Sequence, residues 1–402
     1  MCLENGEIDR CIIYDQTIVN KNNKMDKCII VLVVVFVVNI MMMTLSYIYI
    51  RKSQDKLYCS VSDFLTSAVR FLDHNGAKSF GNVLPDSCSD RSSSLHFQKL
   101  EKSFHTRVRE CRQQQGFSLN ADDDENRPLI TLFTSWKSSP EKYLVHNSTL
   151  MNWSSFIPKV KLVLFTNDSA LRTEAITYGW TVFHIIHHVE GMPVLKHMFQ
   201  KVISSFNSTF YGYSNSDILY TDSLLESLRV VNRTYGSENL FLTGRRTNIP
   251  HLSLKEVVSY DNIRRAAASR GELFVVSSED YFLTTSRFHW NKVPELIIGR
   301  PAFDNWLVGY ARCHFYHVID MTDTVLACHQ TTKAGNKEGL HHKTLTAYNH
   351  KLLTKLGITT HYEAGYIICP KIKTYYSLCG NIELTDRPIN KIPKYCSCKS
   401  WK

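Results

Sequence analysis

The sequence predicts an α/β domain with a mostly parallel, twisted sheet and flanking helices, beginning near residue 128. Apolar runs of five to seven residues alternate with segments of helical character. The alternation occurs four times over roughly ninety residues, which is typical of strand–helix–strand units. The four runs are predicted to be buried strands at 129–133, 160–165, 180–186 and 209–213.

Helices are predicted between these strands, and the first begins near Pro140. The second ends at Gly179, a residue type that commonly terminates helices, and the third spans 193–206 with Pro193 in its first turn. Further helices are expected at 222–231, 254–269 and 305–312, and further strands at 239–243, 273–276, 281–285, 318–320 and 325–328. His329 would then follow the last of these strands directly.

An apolar run without charges, at 28–50, precedes the α/β domain. At about 1.5 Å per residue a helix of this length crosses a bilayer, so the run is predicted to be a single transmembrane signal anchor. The chain therefore divides into a cytoplasmic tail at 1–27, the anchor at 28–50, a stem at 51–127, the α/β domain at 128–331 and a cysteine-bearing accessory region at 332–402.

Glycosylation sequons and cysteines favour a lumenal or extracellular body, whereas the basic residues that flank the anchor are balanced and set no orientation. Five N-x-[ST] sequons follow the anchor, at Asn147, Asn152, Asn167, Asn207 and Asn232. Of the 12 cysteines, nine also follow it, a pattern typical of structural disulfides in an oxidising compartment. Their odd number leaves at least one unpaired or intermolecular, so a disulfide-linked homodimer is one expectation. Zinc is disfavoured because no CxxC pair exists.

The formal net charge is +10, with no long basic run and no nucleic-acid-binding motif. No nucleic-acid partner is therefore expected, and a mildly basic surface weakly favours anionic ligands such as nucleotide sugars. The acidic run at 122–125 contains an Asp-x-Asp string, but no strand precedes it and Pro128 follows closely. This run is interpreted as a solvated linker.

The stretch at 211–222, YGYSNSDILYTD, carries the most specific functional signal. A strand ends in a small polar loop, and a carboxylate on such a loop can hold a divalent cation beside a diphosphate. Asp217 is the candidate metal ligand, and Asn215 could lie on the same side of the loop. The competing interpretation is a simple turn, since Asn, Ser and Asp favour turns and caps.

Other polar side chains follow strand ends in the same way. Ser135 and Asp168 come just past the first and second strands, so they could converge with Asp217 on one crevice. Arg245 and Arg246 follow the strand at 239–243 and suit phosphate or carboxylate binding, with a solvated basic turn as the alternative.

From about residue 128 to residue 331 the chain resembles the nucleotide-diphospho-sugar transferases, the GT-A-fold glycosyltransferases. The stretches that carry the resemblance are YGYSNSDILY, FLTGRRTN, IIGRPAFDNWL and DTVLACHQT. Together with the anchor and stem, they resemble a type II Golgi membrane protein with a lumenal catalytic domain. In that family an Asp-x-Asp motif binds a divalent cation, commonly Mn²⁺ with Mg²⁺ as the alternative, which bridges the donor's two phosphates.

The resemblance implies roles for individual residues. Asp217 and His329 would hold the metal, and Asn215 stands where the first Asp of the motif would be, which removes one negative charge. Asp304 would be the base that receives the acceptor hydroxyl's proton, although it could equally cap the helix that follows. The remaining donor-site candidates, for the nucleotide or its diphosphate, are Ser135, Asp168, Lys196, Arg245 and Arg246.

The sequence thus predicts a membrane-anchored lumenal glycosyltransferase that uses a nucleotide-sugar donor and a glycan or glycoprotein acceptor. A non-catalytic carbohydrate- or protein-binding module with the same fold is the alternative, and Asn215 is its main support. A sulfotransferase would need a Gly-rich loop after the first strand, and the TSWKSS string found there lacks glycine.

Overall fold

The computed structural model describes residues 127–314, 316–332, 344–377 and 380–401. The predicted tail, anchor and stem lie outside these residues. Within them, no helix combines the length and the apolar character needed to cross a membrane.

Fifteen strands and eight α-helices make up the described part of the chain. The strands are β1 (Ile130–Ser135), β2 (Val160–Phe165), β3 (Thr181–Phe183), β4 (His188–Val189), β5 (Met192–Pro193), β6 (Phe210–Ser214), β7 (Ile218–Leu219), β8 (Leu240–Thr243), β9 (Thr247–Pro250), β10 (Glu272–Leu273), β11 (Tyr281–Thr284), β12 (His317–Asp320), β13 (Cys328–Thr331), β14 (Ile372–Tyr376) and β15 (Ile382–Asp386). The helices are α1 (Tyr143–Ser154), α2 (Ser169–Thr177), α3 (Leu195–Ser205), α4 (Ser223–Tyr235), α5 (Leu254–Val257), α6 (Tyr260–Arg270), α7 (Asp304–Cys313) and α8 (Tyr348–Lys355).

A nine-stranded sheet forms the centre of the domain, in the order β15-β14-β12-β8-β11-β6-β1-β2-β3. The β12–β14, β12–β8, β6–β1, β1–β2 and β2–β3 pairs are parallel, and the other three are antiparallel. The predicted α/β class with a mostly parallel sheet is therefore confirmed. A smaller sheet has the order β10-β9-β13-β7.

Helices cover both faces of the central sheet, because successive strand side chains point to opposite faces. Leu162 and Leu164 of β2 pack into a cluster with residues of α1, α2 and α4, whereas Val163 packs on the other face with residues of α3 and α7. Phe133 of β1 is fully buried on that second face. Burying each such side chain contributes roughly 1.5–3 kcal/mol.

Several local predictions differ from the structure. The strand predicted at 180–186 is β3, which covers only Thr181–Phe183, and Ser135 ends β1 instead of following it. Pro193 is not in a helix but ends β5, and α3 begins two residues later. The helix predicted at 254–269 is two helices, because Ser253 forms a capping box for α5 and Ser259 caps α6 by accepting a bond from the Asn262 amide. The last predicted strand lies later in the chain, so His329 is inside β13 and not beyond its end.

The C-terminal part contributes to the central sheet, since β14 pairs with β12 and β15 pairs with β14. The Cys313–Cys398 disulfide joins the C-terminal part to α7, and the Cys369–Cys396 disulfide lies within the C-terminal part. A buried ion pair also links the two parts, with Asp320 Oδ2 2.7 Å from Arg387 Nη2. The domain boundary at 331 and 332 stays a prediction.

Candidate active site

Sheet topology brings the polar loops together at one edge of the central sheet. β6 runs parallel to β1 and ends in the loop that carries Asn215 and Asp217. β11 is antiparallel to both β6 and β8, so its beginning lies where those two strands end. The loops before β11 and after β8 therefore meet the Asp217 loop, and they carry Glu279, Asp280 and Arg246.

Asp217 and His329 form the first element of the site. β13 pairs with β7 so that His329 lies opposite Ile218, next in sequence to Asp217. The Gln330 amide donates to the Asp217 carbonyl at 2.9 Å, and His329 Nε2 lies 3.4 Å from Asp217 Oδ2. Burial alone would raise the pKa of Asp217, but the charge and hydrogen bond of His329 hold it below its usual range. Asp217 is thus a carboxylate at neutral pH.

The chemistry of this pair fits a divalent cation. Asp217 Oδ1 is buried and has no hydrogen-bond partner among the described residues, and an orphaned carboxylate oxygen is costly unless a ligand satisfies it. A carboxylate oxygen suits Mn²⁺ and Mg²⁺, and a neutral imidazole nitrogen is a common metal ligand. In the described part of the chain no group of three or more His, Cys, Asp or Glu side chains could hold a metal. Asp217 and His329 would supply two ligands to such a cation, which leaves other coordination positions for further oxygen ligands.

Asn215 is held in a hydrogen-bonded network that the sequence did not reveal. Its Nδ2 donates to Asp280 Oδ1 at 2.6 Å, its Oδ1 accepts from the Tyr213 hydroxyl at 2.9 Å, and its backbone amide donates to the Asp280 carbonyl at 2.8 Å. Arg246 Nη1 lies 2.6 Å from the same Asp280 oxygen, and both side chains are over nine-tenths buried. The guanidinium also donates to Asn248 Oδ1 and lies over the Phe274 ring.

Asp304 begins α7 beside this network, where Asn305 Nδ2 donates to Glu279 Oε2 at 2.5 Å. Burial raises the pKa of Asp304 to about 7, with a further contribution from the charge of Asp280. A carboxyl group that titrates near neutral pH suits a general base. Burial, followed by the charges of Asp304 and Asp280, also raises the pKa of Glu279 well above its usual value.

The other predicted donor-site residues occupy varied positions. Arg245 is anchored to the loop before β11, with Nε donating to the Phe274 carbonyl at 2.6 Å. The Ser135 hydroxyl donates to the Phe165 carbonyl, and Asp168 caps α2 by accepting from the amides of residues 170 and 171. Lys196 pairs with Glu295, 3.6 Å away, which lies outside the network around Asp217. The donor roles of these four residues, and those predicted for Asn215 and Arg246, stay predictions.

Three residues of this region were absent from the sequence-based set. Glu279 and Asp280 form an adjacent acidic pair directly before a buried apolar run, which is the same signal that singled out Asp217. His146 of α1 stacks on Trp136 with ring centroids 4.9 Å apart. Burial and the charge of Lys142 lower the pKa of His146 to about 4 despite the opposing charge of Asp217, so His146 is neutral in this structure.

The five sequons differ in exposure. Asn152 is 2% exposed, and its amide both donates to the Tyr220 carbonyl and accepts from the Tyr220 amide, so the folded chain has no room for a glycan there. Asn167 and Asn207 are exposed, and Asn147 and Asn232 are half-buried.

Comparisons with known proteins identify no family. No protein-family model and no curated protein matches this sequence. Solved structures that resemble it include the mannosyltransferase PcManGT from Pyrobaculum calidifontis in complex with GDP-Man and Mn²⁺, with 14% identity over 57% of this chain and 65% of that one at a TM-score of 0.33. Glucosyl-3-phosphoglycerate synthase from Mycobacterium tuberculosis has 10% identity over 58% of this chain and 82% of that one, also at 0.33.

A third such structure, S. aureus TarS 1-349, has 10% identity over 31% of this chain and 37% of that one at a TM-score of 0.23. The chain thus covers less than two thirds of the length of the mannosyltransferase and of TarS. Resemblances this distant carry no argument about function, so the assignment below depends on the residues of this chain.

Proposed function

We propose that this chain is a nucleotide-sugar-dependent glycosyltransferase of the GT-A type that acts on a glycan or glycoprotein with a divalent cation, Mn²⁺ or Mg²⁺. The observation that carries the proposal is the Asp217–His329 pair, whose unsatisfied carboxylate oxygen lies at the sheet edge where parallel strands end. Ligands of open α/β sheets bind in this position. Asp304, half-buried at the start of α7, supplies a base of suitable pKa.

Each residue then has a defined chemical task. Asp304 accepts the proton of the acceptor hydroxyl as the acceptor oxygen bonds to the sugar's anomeric carbon and the bond to the donor phosphate breaks. Asp217 and His329 would hold the divalent cation, and a cation bound there would supply positive charge for the leaving nucleoside diphosphate. Arg246 pairs with Asp280 and so neutralises one of the acidic side chains beside the proposed donor site.

Replacing Asp217 with asparagine tests the assignment. The amide keeps the size of the side chain but removes the charge that would bind the cation, so donor hydrolysis and sugar transfer should fall by roughly 100-fold or more. Release of nucleoside diphosphate is measured with a panel of nucleotide sugars and Mn²⁺. Asp261→Asn, which neutralises a carboxylate that is 78% exposed on α6, is the matched control. Full activity in Asp217→Asn would contradict the site assignment, and a panel that gives no activity with the wild type would favour the binding-module alternative.

We further propose that the chain is anchored by residues 28–50 as a single-pass type II protein of the Golgi membrane, with the catalytic domain in the lumen. The two disulfides support an oxidising compartment.

Asn207, exposed in the loop before β6, should then carry an N-glycan, whereas Asn152 should not. Enzymatic deglycosylation should remove the mass of one glycan fewer from Asn207→Gln than from the wild type. It should remove the same mass from Asn152→Gln as from the wild type. An unchanged mass after deglycosylation of the wild type would contradict lumenal glycosylation.

A further inference from the structure

Three carboxyl groups lie within electrostatic reach of one another at the candidate active site, and one of them pairs with a guanidinium. They belong to Glu279, Asp280 and Asp304, and Arg246 pairs with Asp280 at 2.6 Å. Glu279 is only 2% exposed. A second and a third negative charge buried beside the neutralised pair would be strongly unfavourable, because buried like charges cannot all ionise.

The two side-chain oxygens of Glu279 have different contacts. Oε2 accepts a hydrogen bond from Asn305 Nδ2 at 2.5 Å, and the same amide donates to the Ser277 carbonyl at 3.1 Å. Oε1 is buried and has no partner among the described residues. Asn305 follows Asp304 in the first turn of α7, so Glu279 holds the residue next to the proposed base.

The titratable and charged groups around Glu279 come from several elements. They include Asp304 on α7, Asp280 next to Glu279 in the chain, Asp320 at the end of β12, the phenol of Tyr366, and Arg245, whose backbone forms a β-bridge with that of Glu279. Arg246 pairs with Asp280 at 2.6 Å, and Arg387 pairs with Asp320 at 2.7 Å. Arg246 and Arg387 thus each have a carboxylate partner other than Glu279.

We propose that Glu279 is a positioning residue that stays protonated at neutral pH, orients the proposed base through Asn305, and leaves Asp304 as the carboxyl group that ionises there. A protonated Glu279 adds no negative charge to the pocket and can use its otherwise unpaired oxygen as a hydroxyl donor. The role of Asp304 as base depends on the proposed function, but the protonation of Glu279 does not.

Glutamine is the matched probe, because its amide has the shape and hydrogen-bonding groups of the neutral carboxyl group. A group whose pKa is higher in the folded chain than in the unfolded one stabilises the fold fully below its unfolded pKa, and this stabilisation is lost as pH rises. We therefore compare the unfolding equilibrium constants of the two proteins. Their ratio, wild type over Glu279→Gln, should rise about tenfold per pH unit between pH 5 and pH 7.

The experiment is urea unfolding of the full chain at several pH values. Glu272→Gln on β10, whose side chain is exposed, should leave the corresponding ratio independent of pH. A ratio for Glu279→Gln that stays constant from pH 5 to pH 7 would overturn the proposal, because it would mean that Glu279 ionises as readily in the folded chain as in the unfolded one.

Activity supplies a second and separate test. Glu279→Gln should keep the acid limb of the kcat/KM profile in place, since one neutral group replaces another, whereas Glu279→Ala should lower kcat about tenfold with little change in donor KM. A shift of the acid limb to lower pH in Glu279→Gln would show that Glu279 is ionised and would overturn the proposal. An inactive wild type would refute the proposed function, and the urea experiment would still decide the protonation of Glu279.

Discussion

Replacing Asn215 with aspartate is expected to destabilise the folded chain by about 3 kcal/mol at pH 7, the magnitude associated with an uncompensated buried charge. The Asn215 amide donates to Asp280 Oδ1 at 2.6 Å, so a carboxylate in its place would face another carboxylate at hydrogen-bonding distance. Restoring the first acid of an Asp-x-Asp motif should therefore damage this protein. Urea unfolding at pH 7 measures the change.

The pH dependence of this variant follows from the same contact. The new carboxyl group would have a higher pKa in the folded chain than in the unfolded one, so the loss should be smallest below about pH 4, near the unfolded pKa, and should grow as pH rises. Asp280→Asn in the Asn215→Asp background restores an amide–carboxylate pair and should recover part of the stability.

A matched control distinguishes repulsion from the mere addition of a carboxylate. Asn248 accepts a hydrogen bond from Arg246 Nε at 3.0 Å, so Asn248→Asp places its new charge beside a cation and should change stability little. Equal destabilisation by Asn215→Asp and Asn248→Asp would contradict the repulsion argument.

Replacing Asp304 with asparagine is expected to lower the transfer rate by about 10²–10⁴-fold, the usual contribution of a general base. The amide cannot receive the acceptor's proton, but it can still occupy the start of α7. Affinity for nucleoside diphosphate with Mn²⁺ should be unchanged, since the cation is assigned to Asp217 and His329. Single-turnover transfer and nucleotide binding measure the two effects separately.

The pH dependence of kcat/KM provides a further test of Asp304 as the base. The pKa of Asp304 is raised to about 7, so wild-type kcat/KM should fall as pH drops below 7 and the base becomes protonated. Asp304→Asn should lack this limb and should gain stability relative to the wild type as pH rises. Asp323→Asn, at a carboxylate that is 51% exposed in a surface ion pair, is the control. Wild-type transfer rates in Asp304→Asn would exclude Asp304 as the base.

The sequence alone could predict the framework of this site. Buried strands such as β2 were predicted with their observed limits because their apolar runs are continuous and end in polar residues. Asp217 was selected because it stands in a short polar loop after an apolar strand, whereas Asp304 was selected from the resemblance to GT-A-fold glycosyltransferases. His329 was selected as well, although its position inside β13 and its contact with Asp217 depend on pairing with β7.

Long-range pairing explains what could not be predicted. Asp280 is 65 residues from Asn215 in sequence, and the two meet because β11 runs antiparallel to β6. No local pattern specifies that register. Without Asp280, an asparagine at position 215 resembles a decayed metal motif, which was the main support for a non-catalytic module. With Asp280 in place, the asparagine is the residue that the network requires, so it no longer favours that alternative.

Binding of a nucleoside diphosphate with Mn²⁺ at Asp217 is the central claim, and thermal unfolding of the full chain with a nucleotide panel tests it most directly. A ligand that binds only the folded state must stabilise it, by about 2.7 kcal/mol at a concentration 100 times its Kd. We expect one nucleoside diphosphate to raise the unfolding midpoint, with an increment from Mn²⁺ that disappears in Asp217→Asn and persists in Asp261→Asn. An absent shift with every nucleotide, or an Mn²⁺ increment that survives in Asp217→Asn, would contradict the account.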